Sequence, residues 1–167
     1  MNSAMAISIL GTLISKLDVA VEKVECGEKL HKLSTSIGLY RKRILEAFLM
    51  DMGDRSFSRR MYFNHKSYGD ENMFLEPQGF TLQISELPVE WKKALYREMK
   101  KRVYAGEKFG SREQECPEFE DERFDKGSRE NGGFWWALNG PVIVGVSQFD
   151  KEEAHKLLKN MTLHQLV

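Results

Sequence analysis

The first fifty residues constrain the fold most tightly, because their apolar side chains keep a three-and-four spacing that only a helix gathers on one side. Ile7, Leu10, Ile14, Leu17, Val21 and Val24 follow it. Gly27 interrupts, and the pattern resumes in a new phase through Leu30, Leu33, Ile37, Tyr40, Ile44, Phe48 and Met52. One long helix with a stutter and a helical hairpin bent near Gly27 both fit, since a glycine inside a helix costs only about 1 kcal/mol. Two helices are the preferred reading, with Ser34, Thr35, Ser36 and Gly38 a weak spot in the second and Gly53 its stop.

Beyond Gly53 the pattern changes. Asp54–Gln78 reads as a loop with short strands at Arg60–Asn64 and Met73–Leu75. Phe80, Leu82 and Ile84 alternate with period two, which predicts a half-buried strand over Gly79–Ile84. Trp91, Leu95, Met99 and Val103 then recur every four residues behind Pro88, so a helix is expected from Pro88 to about Ala105. Gly110–Gly133 is poor in apolar residues and reads as a long mobile loop. Phe134–Leu138 and Val142–Val146 flank Asn139-Gly140, the strongest short-range hairpin signal, although Pro141 removes a ladder donor. Asp150 with Glu153 marks the start of a closing helix through Leu158. The predicted fold class is therefore α+β: a small antiparallel sheet of three to five strands packed by helices, with an N-terminal helical pair. A single domain over 1–167 is expected, comprising helices in 1–53 and an α+β body in 54–167.

Composition narrows the class. An apolar fraction of 41% with 30% charged residues suits a globular chain and not a disordered one. Cys26 and Cys116 lie far apart and read as free thiols of a reducing compartment. Asn2–Ser15 lacks a basic flank and is shorter than the roughly 20 apolar residues of a membrane span. A cytoplasmic protein without a membrane partner is expected.

Motifs for catalysis are absent or incomplete. His31, His65, His155 and His164 never stand at the spacing that puts two metal ligands on one helix face, so no metal site is expected. His65-Lys66-Ser67 resembles half of a two-histidine phosphoesterase signature, but the second half is missing. Asp70 with Glu90-Trp91-Lys92 matches a degenerate metal-nuclease pattern, yet its Glu and Lys open a helix instead of lying on a strand. The carboxylates at Glu113, Glu115, Glu118, Glu120, Asp121, Glu122 and Asp125 lack calcium-loop spacing. No phosphate-cradling glycine motif and no serine elbow occurs, and no cofactor or catalytic residue is assigned.

Charge sorting is the better functional signal. The 25 basic and 25 acidic residues cancel overall but fall in blocks, which steer partners through local fields. Arg41, Lys42, Arg43, Arg55, Arg59 and Arg60, interleaved with Phe57, Tyr62 and Phe63, have the composition of a nucleic-acid surface. Lys100, Lys101 and Arg102 form a second basic block, and the adjacent tryptophans Trp135 and Trp136 would point to opposite sides of a strand, leaving one free to anchor a partner. The preferred expectation is a non-enzymatic regulator or inhibitor, of the phage, plasmid or immunity-protein kind, that binds another protein through Trp135 or Trp136 and Lys100, Lys101 and Arg102. Two alternatives stand beside it: a DNA- or RNA-binding module using the 41–66 stretch, and a metal-dependent nuclease or phosphodiesterase using Asp70, Glu90 and acids of the Glu113–Asp125 loop. The N-terminal helices are available for a homodimer.

Overall fold

The computed structural model describes residues 3–23, 27–63, 66–104, 110–115, 125 and 132–163, of which 61–63, 66 and 163 are described by backbone alone. Helices dominate it. The chain divides into two units, Met1–Gly53 and Asp54–Val167.

The first unit is a helical hairpin of α1 (Ser3–Val21) and α2 (Gly27–Met52). The close return of the chain at Gly27 requires glycine: a Cβ there would sit 2.7 Å from the Val21 carbonyl oxygen. At the far end, Gly53 adopts φ +49° and donates its amide to Leu49 O at 3.1 Å, a left-handed stop that glycine accepts without strain. Two side chains fix the antiparallel register. Ser34 Oγ donates to Asp18 Oδ1 at 2.6 Å, and Arg41 Nε donates to the Ile7 carbonyl at 2.9 Å. Gly11 makes room for that arginine, since a Cβ there would meet Nε at 3.1 Å. Over its 19 residues α1 is long and apolar enough, by length and composition, to cross a membrane, and only 17% of its most apolar window is buried. The apolar stretch is thus longer than Asn2–Ser15 suggested, and a membrane span is not excluded by length.

The second unit is not the expected α+β body. Its ladder is one hairpin, β1 (Met61–Phe63) antiparallel to β2 (Lys66–Tyr68), with Met61 opposite Tyr68 and Phe63 opposite Lys66. Among the described residues four helices supply the rest: α3 (Leu75–Thr81), α4 (Val89–Arg102), α5 (Trp136–Ser147) and α6 (Lys151–Leu163). The expected sheet of three to five strands is therefore overturned. Gly79–Ile84 is the end of α3 and the turns after it; its alternation arises because Leu82 and Ile84 drop into the interior, both at 0% exposure, from successive turns. Met73–Leu75 yields only a bridge, Phe74 opposite Gln114, before the helix begins. The expected hairpin of Phe134–Val146 is α5, with Pro141 inside it.

Packing explains that last reversal. α5 crosses α3 so closely that a Cβ on Gly145 would stand 2.4 Å from the Leu82 Cβ, and one on Gly79 2.9 Å from the Pro141 Cβ. Pro141 has no amide to donate, but its carbonyl accepts from Gln83 Nε2 at 2.9 Å, which ties α5 back to α3. The core gathers Phe57, Met73, Leu75, Leu82, Leu95, Met99, Val103, Val142, Val146, Ala154 and Leu157. Leu95 and Met99, with Val103 as the C-cap, belong to the stripe read from the sequence, on a helix that forms where it was expected and ends at Arg102. The closing helix also forms, running to Leu163, and its cap is made: Glu153 N donates to Asp150 Oδ1 at 2.9 Å.

Candidate docking face

Two buried amide side chains organise the second unit. Gln78 is fully enclosed; its Nε2 donates to Ser58 O at 2.7 Å and Phe74 O at 2.8 Å, while its Oε1 accepts from Ser58 N at 2.9 Å. Asn139 repeats the device: Oδ1 accepts from Ser111 N at 2.8 Å, and Nδ2 donates to Ser111 O at 2.8 Å and Trp135 O at 3.0 Å. Each amide stands in for a neighbouring strand, satisfying backbone groups that no sheet reaches. The Asn-Gly pair that signals a hairpin is used here for its side chain instead.

Asn139 thereby fixes the corner where the chain enters α5. The Trp135 carbonyl also accepts the amides of Leu138 and Asn139, at 3.2 and 3.1 Å. Around this held backbone Phe134, Trp135 and Trp136 are exposed at 44, 38 and 36%. Arg112 lies 6.0 Å from the Phe134 ring centre, and the backbones of residues 112 and 134 form a bridge. Trp135 is extended and Trp136 begins the helix, so neither indole sits in a strand; both are half-open. Three consecutive aromatics on a hydrogen-bonded corner form an amphipathic edge of the kind that anchors partners.

The basic residues have a different place. Arg55 Nη1 pairs with Asp70 Oδ1 at 3.0 Å, and Arg59 Nε lies 3.5 Å from the same oxygen. Ser67 Oγ also donates to Asp70. Arg60 stands between Glu76 and Glu113, at 3.7 and 3.6 Å, and over the Phe74 ring at 4.8 Å. These three arginine side chains are 20–27% exposed, so the stretch taken for a phosphate-binding surface is largely turned onto its own carboxylates. Arg41 is the clamp inside the hairpin, whereas Lys42 and Arg43 face solvent, Lys42 4.0 Å from Glu46. Tyr62 and Phe63 side chains lie outside the described residues.

The second basic block is likewise engaged. Arg102 binds Glu98 at 2.7 Å and Glu115 at 2.9 Å and lies over the Phe57 ring at 5.1 Å. The Arg102 guanidinium holds Glu98 below the ordinary carboxylate range. Lys100 pairs with Glu153, which also accepts from the Tyr96 hydroxyl at 2.9 Å; Lys100 first and then Tyr96 lower the Glu153 pKa, and burial foremost raises that of Tyr96. Lys101 reaches Glu98 at 3.3 Å but keeps its side chain 72% exposed. Lys92 is 4% exposed and donates to Gln148 Oε1 at 3.0 Å. Burial lowers its pKa, and the charge of Glu86 opposes that.

Acid–base or metal chemistry finds no convergent set. Asp70 is held by arginines and Glu90 by Lys93 at 2.9 Å. Among the described residues no three His, Cys, Asp or Glu side chains gather. Glu113 and Glu115 face Arg60 and Arg102, and Glu118, Glu120, Asp121 and Glu122 lie outside the described residues, as do His65, His164 and both cysteines. A groove of about 500 Å³ runs along α6 past Glu152, His155, Lys156 and Lys159, open and of mixed sign. No protein-family model matches the chain, and no curated protein matches it either. What the sequence missed was the corner itself: it singled out the tryptophans but on the wrong element, and nothing in the residue pattern tied Asn139 to Ser111.

Proposed function

We propose that this chain is a protein-binding module that docks through the Phe134–Trp135–Trp136 corner and regulates its partner by occupancy. One observation carries the reading: three adjacent large aromatics stay 36–44% exposed on a backbone to which a buried asparagine is hydrogen-bonded. Indoles on a fixed frame lose little freedom on binding, which is why tryptophan leads among interface anchors. The inward commitment of Arg55, Arg59, Arg60 and Arg102 favours a protein over a polyphosphate, since pairing with nucleic acid requires cations free to replace counterions. Arg112, beside the Phe134 ring, then serves as a rim charge that orients the partner, while Lys101 on α4 offers a further exposed charge.

The test compares capture from native lysate by the wild-type chain and by the Trp135→Ala/Trp136→Ala double variant, each with and without nuclease. A protein retained after nuclease, and bound at least about 30-fold more weakly by the double variant, supports the reading, because an anchor residue contributes about 2 kcal/mol or more. Loss of all capture on nuclease treatment, or equal capture by both chains, sinks it.

A further inference from the structure

The hairpin of the first unit uses only part of its apolar surface, and the remainder follows a rule of its own. On α1 the stripe turned to α2 runs through Ala4, Ile7, Gly11, Ile14, Asp18 and Val21, as the contacts of Ile7, Gly11 and Asp18 with Arg41 and Ser34 establish. A second stripe runs through Ala6, Leu10, Leu13, Leu17 and Ala20, with spacings of four, three, four and three. Helix α2 repeats this. Its contact stripe includes Ser34, Arg41, Leu45 and Phe48, and beside it Leu33, Ile37, Tyr40, Ile44 and Ala47 keep the same four-three alternation. Leu13, Leu33 and Tyr40 are 40, 48 and 62% exposed, Leu10, Leu17, Ile37 and Ile44 are half-buried, and Ala6, at the N-terminal end of the α1 stripe, is already buried at 4%.

Helix geometry puts both second stripes on one side. At about 100° per residue each is turned from its own contact stripe by roughly 80–110° in the same sense. In an antiparallel pair a two-fold axis normal to the hairpin plane exchanges the helices, so equal rotations emerge on the same face. Lys16, Lys32, Lys42, Arg43 and Glu46 fall on the other sides by the same count. Lys29 and Asp51 fall on the α2 stripe itself, at its two ends. The result is a two-helix face, apolar between those end charges, whose seams repeat every seven residues.

We infer that this face is covered by the same face of a second copy, giving a dimeric four-helix bundle. The spacing selects a helical partner, because an alternation of three and four places knobs for holes in another helix, whereas a lipid surface demands no register. The composition selects a second copy. Ala6, Leu10, Leu13, Leu17 and Ala20 read Ala-Leu-Leu-Leu-Ala in either direction, so the α1 seam suits a two-fold partner running the opposite way. Size agrees: α1 is about 28 Å long and a two-helix face about 20 Å wide, which pairs roughly 1,100 Å² in total, just above the roughly 1,000 Å² that a specific interface needs.

Sedimentation of the full chain over two decades of concentration tests this, with four single variants. Leu13→Glu and Tyr40→Glu lie on the face; Val19→Glu and Met50→Glu, 57 and 84% exposed in the wild type, lie off it. A wild-type dimer is expected, weakened at least about 30-fold by each on-face variant and by less than about threefold by each off-face variant. Leu33→Ser provides a milder on-face change should a glutamate unfold the hairpin, which helical circular dichroism reports. A monomer at every concentration overturns the inference, including a monomer that instead sediments with anionic or neutral phospholipid vesicles. So does a dimer that all four glutamates weaken alike or none weakens.

Discussion

The two units reach stability by opposite means. In the hairpin, long helices satisfy almost all of their own backbone, and its two cited cross-links, Arg41 to Ile7 and Ser34 to Asp18, set register more than they enclose a core. Its exposed apolar residues include Ile9, Leu13, Val19, Leu33, Leu39, Tyr40, Leu49 and Met50. In the second unit the helices are short, one of them only seven residues, and many backbone groups depend on side chains such as Gln78 and Asn139. Regular structure can thus be locally complete and still lack a partner, while irregular structure can close on itself if it buries enough polar connections. Short helices are marginal alone, so their persistence in 54–167 is a tertiary effect.

The strongest test of that contrast is Gln78→Ala. The change deletes a fully buried amide that bonds the Ser58 backbone twice and Phe74 once, and it removes those three bonds from an enclosed site. A loss of about 3–5 kcal/mol is expected, from the cavity and from buried polar groups at about 1–3 kcal/mol each. All three tryptophans, Trp91, Trp135 and Trp136, belong to the second unit, so urea denaturation followed by indole emission reads this unit alone. A loss below about 1 kcal/mol, the scale of a single ordinary hydrogen bond, would show that water replaces the amide and that the unit is not held by it.

The same contrast explains what the sequence could reveal. Helices α1, α2, α4 and α6 were legible because each is long enough for its apolar period to repeat, and because Gly27, Pro88 and Asp150 mark their ends. Helices α3 and α5 were not. Val142, Ile143, Val144 and Val146 have the β-branched profile of a strand, and Asn139-Gly140 the profile of its turn, but close approach at Gly79 and Gly145 favours a helix there. That approach joins residues 60 or more apart, which no local window contains. The aromatic corner was half legible: Trp135 and Trp136 stood out by size, whereas their presentation depends on Asn139 reaching back to Ser111. The basic-aromatic stretch misled for the converse reason, since Asp70, Glu76 and Glu113 answer its arginines from three separate places in the chain.

Gly145→Ala sharpens the comparison at the helix crossing. One methyl group would have to occupy space 2.4 Å from the Leu82 Cβ and 3.3 Å from the Gly79 carbonyl, neither of which is the end of a flexible side chain. α3 and α5 must separate, at a cost of about 1–3 kcal/mol for overpacking, offset in part by the better helix propensity of alanine. Indole emission again gives the measurement. An unchanged midpoint would mean that the crossing yields freely and that something other than contact at this glycine turns the Val-rich segment into a helix.

Gly38→Ala is the counterpart in the hairpin, with the smallest effect and the opposite sign. Gly38 lies inside α2, where a Cβ would find nothing within 4 Å. Alanine there removes the backbone freedom that glycine carries in the unfolded chain and clashes with nothing, so the helix gains about 0.5–1 kcal/mol. The gain should appear in circular dichroism at 222 nm and leave indole emission unmoved, because the hairpin contains no tryptophan. The same chemical change thus destabilises one unit and stabilises the other, according to whether a neighbouring helix or open space faces the glycine. A destabilising Gly38→Ala would mean that this side of α2 is already covered and that the hairpin's open surface has a different boundary.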